Sequence, residues 1–442
     1  MHRLFQKLVL FFSLLSVLLL LSSCAPSGVG TIPSGTPDHG NGTPAVIPTP
    51  HPDPQPVLTA PPGATGAFYA FVRKNQLWVA TKGASPTQVT HFDYGKYTSV
   101  FWNQPLWSPG DHFIAFTMDA LPPGLGGGGC PGPDYSVFGT LYVLDTATMQ
   151  LTKIVLPGDS GSTAADSPYD GYWHSIFWED STHLLAWHNE TNFVGKKSDA
   201  AGLYRYNVGS NTLTQVIPLS SLGVATLLKP QAGLTLMLSM RYSSEELFYQ
   251  IVEQGQIAIY RHSIVHPSTA SSKVLTIGSE AWCDPQHSGL FVKPGWDVSP
   301  NGEQLVAQII TTDSSNQVVG TVQVLSLNDG STTPLFAQGS SQMLRNDITL
   351  TWGPDNQTVI ATSHNVQSPV GPYSATLANP SAMQQYTPDL AGQVAWRPDS
   401  SAFALQSSDA LNPTVVPDVY IFMPGDGQGR LLLADAYDFT WG

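Results

Sequence analysis

From residue 66 onward, short apolar runs alternate with polar turn signals, and one arrangement returns along the chain. It reads aromatic or aliphatic, any residue, Pro, a polar or Gly turn, then a short apolar strand. It appears as LWSPGDHFIAF (106–116), DVSPNGEQLVA (297–307), TWGPDNQTVIA (351–361) and AWRPDSSAFAL (395–405). Two weaker copies fill the gaps. FWEDSTHLLAW (177–187) lacks the Pro, and LLKPQAGLTLML (227–238) lacks the aromatic but keeps Pro230 and Gly233. The residues between the copies alternate as strands do, and no stretch carries a convincing helical period. A repeat of roughly 40–50 residues built only from short strands predicts a β-propeller.

The repeat anchors are Trp107, Trp178, Leu228, Val298, Trp352, Trp396 and Trp441, which predicts an all-β, seven-bladed β-propeller. The two degenerate anchors leave six or eight blades open. The last anchor falls in Phe439-Thr440-Trp441-Gly442, where a following strand is missing. That strand is present at the other end, as Ala67 to Val72 followed by Gln76 to Val79. The C-terminal strand is therefore expected to complete the N-terminal blade, which removes a free sheet edge. The turn chemistry has a physical basis. Pro109, Pro300, Pro354 and Pro398 pre-set φ at the first corner of a tight turn, and Asn301-Gly302 offers a positive-φ position at low cost. The adjacent Trp residues are expected in the core.

The motif resembles the propeller repeat of the TolB family, and more loosely WD-repeat-like propellers. The aromatic-Ser-Pro turn leading to Ile114-Ala115-Phe116 carries the likeness. So do the strands Leu77-Trp78-Val79, Leu141-Tyr142-Val143-Leu144-Asp145, Leu203-Tyr204-Arg205-Tyr206 and Val419-Tyr420-Ile421-Phe422, and the Gln150-Leu151-Thr152 ending. The resemblance implies the repeat class over most of residues 66–442. It does not extend to TolB's separate N-terminal domain, in whose place this sequence has a Pro-rich segment, and TolB's partners are not carried over.

The first residues read as an address. Arg3 and Lys7 precede the uncharged run Leu8 to Leu21, which is short for a membrane span but suits a signal segment. Leu21-Ser22-Ser23-Cys24 resembles the lipobox of bacterial lipoproteins. It implies removal of residues 1–23 and lipidation of Cys24, which would anchor the protein to a membrane on its extracytoplasmic side, in the cell envelope. Residues 24–65, rich in Pro, Gly and Thr, cannot bury enough apolar surface to offset their ordering entropy and are expected to form a tether. The propeller is expected over 66–442.

Composition narrows the partners. The chain has 442 residues, only 11% charged, with a formal net charge of −14. That balance argues against nucleic acid, whose binding needs Lys and Arg to displace counterions. A monomer is expected.

Propeller geometry puts the Pro turns on one face and the long insertions (118–139, 157–173, 189–200, 240–256, 278–295, 407–417) on the other, and long loops on a rigid ring usually carry binding. Two insertions are aromatic-rich, 91–102 and 169–174, and Trp282 lies in a third. The candidate binding surface is Tyr94, Tyr97, Trp102, Tyr172, Trp173 and Trp282, rings that suit sugar or peptide contact. The competing reading is that these rings pack their loops onto the blades. Cys130 and Cys283 fall about three blades apart. A disulfide needs Cα atoms within ~7 Å, so only loops folding over the channel would bring them together.

Catalytic signatures are missing from the sequence: it has no Gly-x-Ser-x-Gly, no His-Glu-x-x-His and no Cys-x-x-Cys. No motif calls for a cofactor or a metal. Asp159, Asp166 and Asp170 lack a Gly-punctuated calcium-loop pattern. The reading favoured is a non-catalytic binding or scaffold module for envelope proteins, peptides or glycans. The alternative is a glycan-active propeller enzyme, which would need two carboxyls ~5–9.5 Å apart. Asp93, Asp170 and Asp297 are its candidates.

Overall fold

The computed structural model describes residues 68–442, apart from 81–83, 95–98, 122–138, 157–171, 190–198, 223–238, 254–255, 280–294, 313–317, 337–347, 364–370, 388–389, 391–393 and 407–416. The leader, Cys24, the tether, Tyr97, Cys130, Asp159, Asp166, Asp170, Trp282 and Cys283 lie outside the described residues.

The described residues form seven antiparallel sheets, each a blade. From the inner edge outward, blade 1 consists of Tyr437–Trp441, Tyr69–Arg73, Gln76–Ala80 and Thr87–Gln88. Blade 2 has an inner strand in two pieces, Ser99–Trp102 and Leu106–Trp107. Both pair with Phe113–Leu121, and Thr140–Asp145 and Gln150–Ile154 follow. Blades 3 to 7 begin on Trp173–Trp178, Met240–Ser243, Trp296–Val298, Ile348–Trp352 and Ala395–Trp396, with three further strands each in chain order.

The strands read as near-continuous apolar runs because both faces of each blade are buried. In Tyr69-Ala70-Phe71-Val72 the side chains alternate as a strand requires. Tyr69 and Phe71 pack into a core cluster shared with blade 7, while Ala70 and Val72 pack into one shared with blade 2. Similar clusters fill the other five junctions, so the blades close into a ring with seven apolar seams.

The ring closes as expected, through the strand Tyr437–Trp441. Tyr69 pairs with Trp441 and Ala70 with Thr440, and the Gly442 N–H donates to the Phe68 carbonyl at 2.9 Å. The left-handed φ of 70° at Gly302 matches the expected Asn-Gly turn. A Cβ there would also come within 2.7 Å of Ser244 in the neighbouring blade.

Blade 4 departs from the expectation. Its innermost described strand is Met240–Ser243, and the turn into Glu246–Glu253 is Ser244-Glu245, with φ of 49° and 65°. Residues 240–253, read above as part of a loop insertion, are thus a hairpin of the blade, and Tyr242 stands where blade 5 places Val298 and the remaining blades a Trp. The proposed anchor Leu228 lies outside the described residues. The pattern hid this turn because two non-glycine residues adopt the left-handed conformation and no Pro marks it.

Candidate functional site

The turns that join the first and second strands of blades 3 to 6 surround a cleft of about 760 Å³. Blade 3 contributes Trp178, Glu179 and Asp180, and blade 4 contributes Tyr242 to Glu245. Asp297, Val298 and Pro300 come from blade 5, and Trp352 comes from blade 6.

Asp297 ties three inner strands together. One oxygen accepts from Arg241 Nε of blade 4 at 3.1 Å, and the other accepts from the Trp352 backbone N–H of blade 6 at 2.9 Å. The Trp352 indole also donates to the Asp297 carbonyl at 3.3 Å. Burial pushes the Asp297 carboxyl up, and the Arg241 guanidinium opposes that shift. Arg241 in turn lies 5.3 Å from the centre of the Trp296 ring.

Serine hydroxyls link the turns themselves. Ser243 Oγ lies within hydrogen-bond reach of two blade 5 carbonyls, Ser299 at 2.8 Å and Pro300 at 2.9 Å. Ser244 Oγ donates to the Asn301 carbonyl at 2.7 Å, and the Asn301 N–H donates to Asn356 Oδ1 of blade 6 at 2.8 Å.

The blade 3 acids are also engaged. Glu179 receives two bonds of 2.6 Å from the Arg205 guanidinium. Asp180 accepts from His183 Nδ1 at 2.7 Å and from the backbone N–H groups of Thr182 and His183 at 2.7 and 2.8 Å. Burial pushes the Asp180 carboxyl up, but the bonds from His183 and Thr182 outweigh it and hold the group well below its ordinary value. Glu245 differs: it stands exposed at its turn, with no basic partner among the described residues. The Tyr242 phenol is raised by burial and by the neighbouring Glu179 and Glu245 carboxylates.

The aromatic residues picked from the sequence sit elsewhere. Trp102 is 6% exposed and stacks on Phe116 with ring centres 5.1 Å apart. Tyr172, 3% exposed, stacks on His188 at 5.0 Å, and Trp173, 2% exposed, meets the same imidazole edge-on at 4.8 Å. These three rings are core rather than open platforms, because neighbouring blades cover both sides of the strands that carry them. Tyr94 is half-buried, and its hydroxyl donates to the Asn75 carbonyl at 2.5 Å. Asp93 is exposed in the connection between blades 1 and 2, away from Asp297 in sequence and in blade.

The sequence reading missed Glu179, Asp180, Tyr242 and Glu245 as a group. Trp178-Glu179-Asp180 was visible as a Pro-less turn, but nothing in the pattern joined it to Tyr242. Among the described residues, no group of three or more His, Cys, Asp or Glu is placed to hold a metal ion, and no helix is long and apolar enough to cross a membrane.

Fold and cleft together define a seven-bladed β-propeller whose turn face carries a mixed aromatic and acidic mouth. The chain is similar to a structure from a mechanistic analysis of two prolyl endopeptidases, with 13% identity, 86% of this chain and 50% of that chain covered, and a TM-score of 0.51. It therefore spans about half of that protein. It is also similar to TolB from Acinetobacter baumannii, at 12% identity over 86% of this chain and 68% of that one, with a TM-score of 0.39. The β-propeller domain of the Trilobed protease from Pyrococcus furiosus matches at 12% identity, over 85% and 97% of the two chains, with a TM-score of 0.44. At such identities the likeness concerns the fold alone. No family model and no curated protein matches the sequence.

Proposed function

We propose that this protein is a non-catalytic binding module, anchored by lipid on Cys24 to the outer side of a bacterial membrane, that holds an envelope protein, peptide or glycan at the turn-face cleft. The observation that carries this reading is how three of the cleft's four carboxylates are used. Glu179 is clamped by Arg205, Asp180 by His183 and the turn backbone, and Asp297 by Arg241 and the Trp352 N–H. A general acid or base must exchange its proton with a substrate within hydrogen-bond reach. Carboxylates held as struts suit a rigid binding surface better than acid–base catalysis. Asp297, which lines the cleft and is one of the candidates for glycan cleavage, is such a strut.

The leader, the Cys24 motif and the Pro-rich segment support the anchored location. The test places a photo-crosslinking amino acid at position 245 of the full chain in intact cells. A discrete adduct, together with loss of membrane association in Cys24→Ala, is expected. Hydrolysis of an envelope glycan or peptide by the purified protein, abolished in Asp297→Asn, would overturn the reading.

A further inference from the structure

The chemistry of the cleft singles out one kind of side chain. Trp178, Tyr242 and Trp352 share it with four acids. Within the ring of blades the chain uses its indoles to seat its own guanidinium groups. Arg241 lies 5.3 Å from the ring centre of Trp296 while paired to Asp297, and Arg397 lies 5.3 Å from that of Trp441. Ring, cation and carboxylate together are thus an arrangement this fold already builds. In the cleft, three acids have their counter-groups in Arg205, His183 and Arg241. Glu245, exposed at the turn that follows the half-buried Tyr242, does not have one among the described residues.

We infer that the turn-face cleft takes an arginine or lysine side chain presented by a segment of a partner protein, with Glu245 as its counter-charge and the Tyr242 ring beside it. This inference rests on the binding-module reading and names the ligand class. Residues 25–65 of this chain contain neither Lys nor Arg, which favours an occupant from another chain over the Pro-rich segment. The formal net charge of −14 favours encounter with a basic partner. A planar guanidinium stacks on aromatic faces and pairs with carboxylates, which is the combination offered here. The Arg205–Glu179 and Arg241–Asp297 pairs and the serine bridges hold the lining in place beforehand, so little ordering opposes binding.

The test titrates the full-length protein in detergent with a blocked Gly-Arg-Gly peptide and with its citrulline analogue, which keeps the shape but lacks the charge, by calorimetry. Saturable binding of the arginine peptide is expected, weakened about tenfold or more by citrulline. Glu245→Gln should weaken the arginine peptide roughly three- to tenfold while leaving thermal stability unchanged. Equal binding of the two peptides, no binding of either, or no effect of Glu245→Gln in a folded protein would each overturn the inference. The citrulline comparison uses the unaltered protein, so it stands whatever the variant does. If the crosslinked adduct at position 245 forms while the two peptides behave alike, the inference fails and the binding-module reading survives. Hydrolytic turnover removes both.

Discussion

Two inner-strand aspartates, on opposite sides of the ring, contrast two ways of holding blades together. Asp297, at the cleft, is met by Arg241 from one neighbouring blade and the Trp352 N–H from the other. Asp438, in the closing strand of blade 1, has left-handed backbone (φ 49°) beside a bulge in the pairing with Tyr69–Arg73, and its N–H donates to Gln406 Oε1 of blade 7 at 2.8 Å. Burial alone pushes its carboxyl up, to about 7. The cleft sector is thus latched by polar groups matched to one another. The closure sector relies on strand pairing and stacked rings, with an uncompensated acid among them. Burial raises both carboxyls, but at Asp297 the partners oppose that rise and turn the group into a strut, whereas at Asp438 nothing opposes it.

The largest test of this contrast concerns the closure rings. Trp441 is 4% exposed and meets the rings of Phe439 and Tyr69 at 4.7 and 6.3 Å. Trp441→Ala should destabilise by ~3–5 kcal/mol, read by denaturant unfolding, and should speed hydrogen exchange in Tyr69–Arg73 before other blades. Unchanged exchange there would mean that closure does not depend on the rings.

A smaller loss, about 2–3 kcal/mol, is expected for Asp297→Ala, which strips Arg241 and the Trp352 N–H of their shared acceptor. That figure is set below the fully buried case because the Arg241 side chain is 37% exposed and therefore partly screened. A double variant that also removes Arg241 should recover part of the loss, and full additivity would deny the strut.

The smallest effect is the one that depends on pH. The carboxyl of Asp438 binds its proton more tightly in the folded protein than in the unfolded chain, whose reference value is 3.8. Between about 4 and about 7 the folded state therefore holds more protons, and this group's contribution to stability falls as pH rises through that window, then levels off. Asp438→Asn should remove this term; the full shift would carry about 4 kcal/mol, but the residue is half-buried and partly screened by solvent, so the difference between variant and parent stability should grow by on the order of 1–2 kcal/mol from pH 4 to pH 7.5. A difference that stays flat with pH would refute the unmatched acid.

The architecture was legible in the sequence because its marks are local. An aromatic, a Pro corner and an apolar run identify a blade within a dozen residues, and the broken repeat at Trp441 pointed to the strand at Phe68 to Val72. Blade 4 was obscured where Ser244-Glu245 turned without Gly or Pro. The cleft was not legible at all, since Glu179, Tyr242, Asp297 and Trp352 meet only through the curvature of the ring. The buried state of Trp102, Tyr172 and Trp173 was equally hidden. A strand covered on both faces and a loop rich in rings look alike in one dimension, and only the seam with the next blade separates them.

The pairing of Tyr69 with Trp441 also sets a timetable. A chain synthesised from its N-terminus presents the Tyr69–Arg73 strand first and its inner partner last. Throughout, that earliest strand carries a bare hydrogen-bonding edge, and the contact that covers it has the longest sequence separation in the ring, the kind that forms slowly. The ring therefore cannot close, nor that edge be covered, until the final residues arrive.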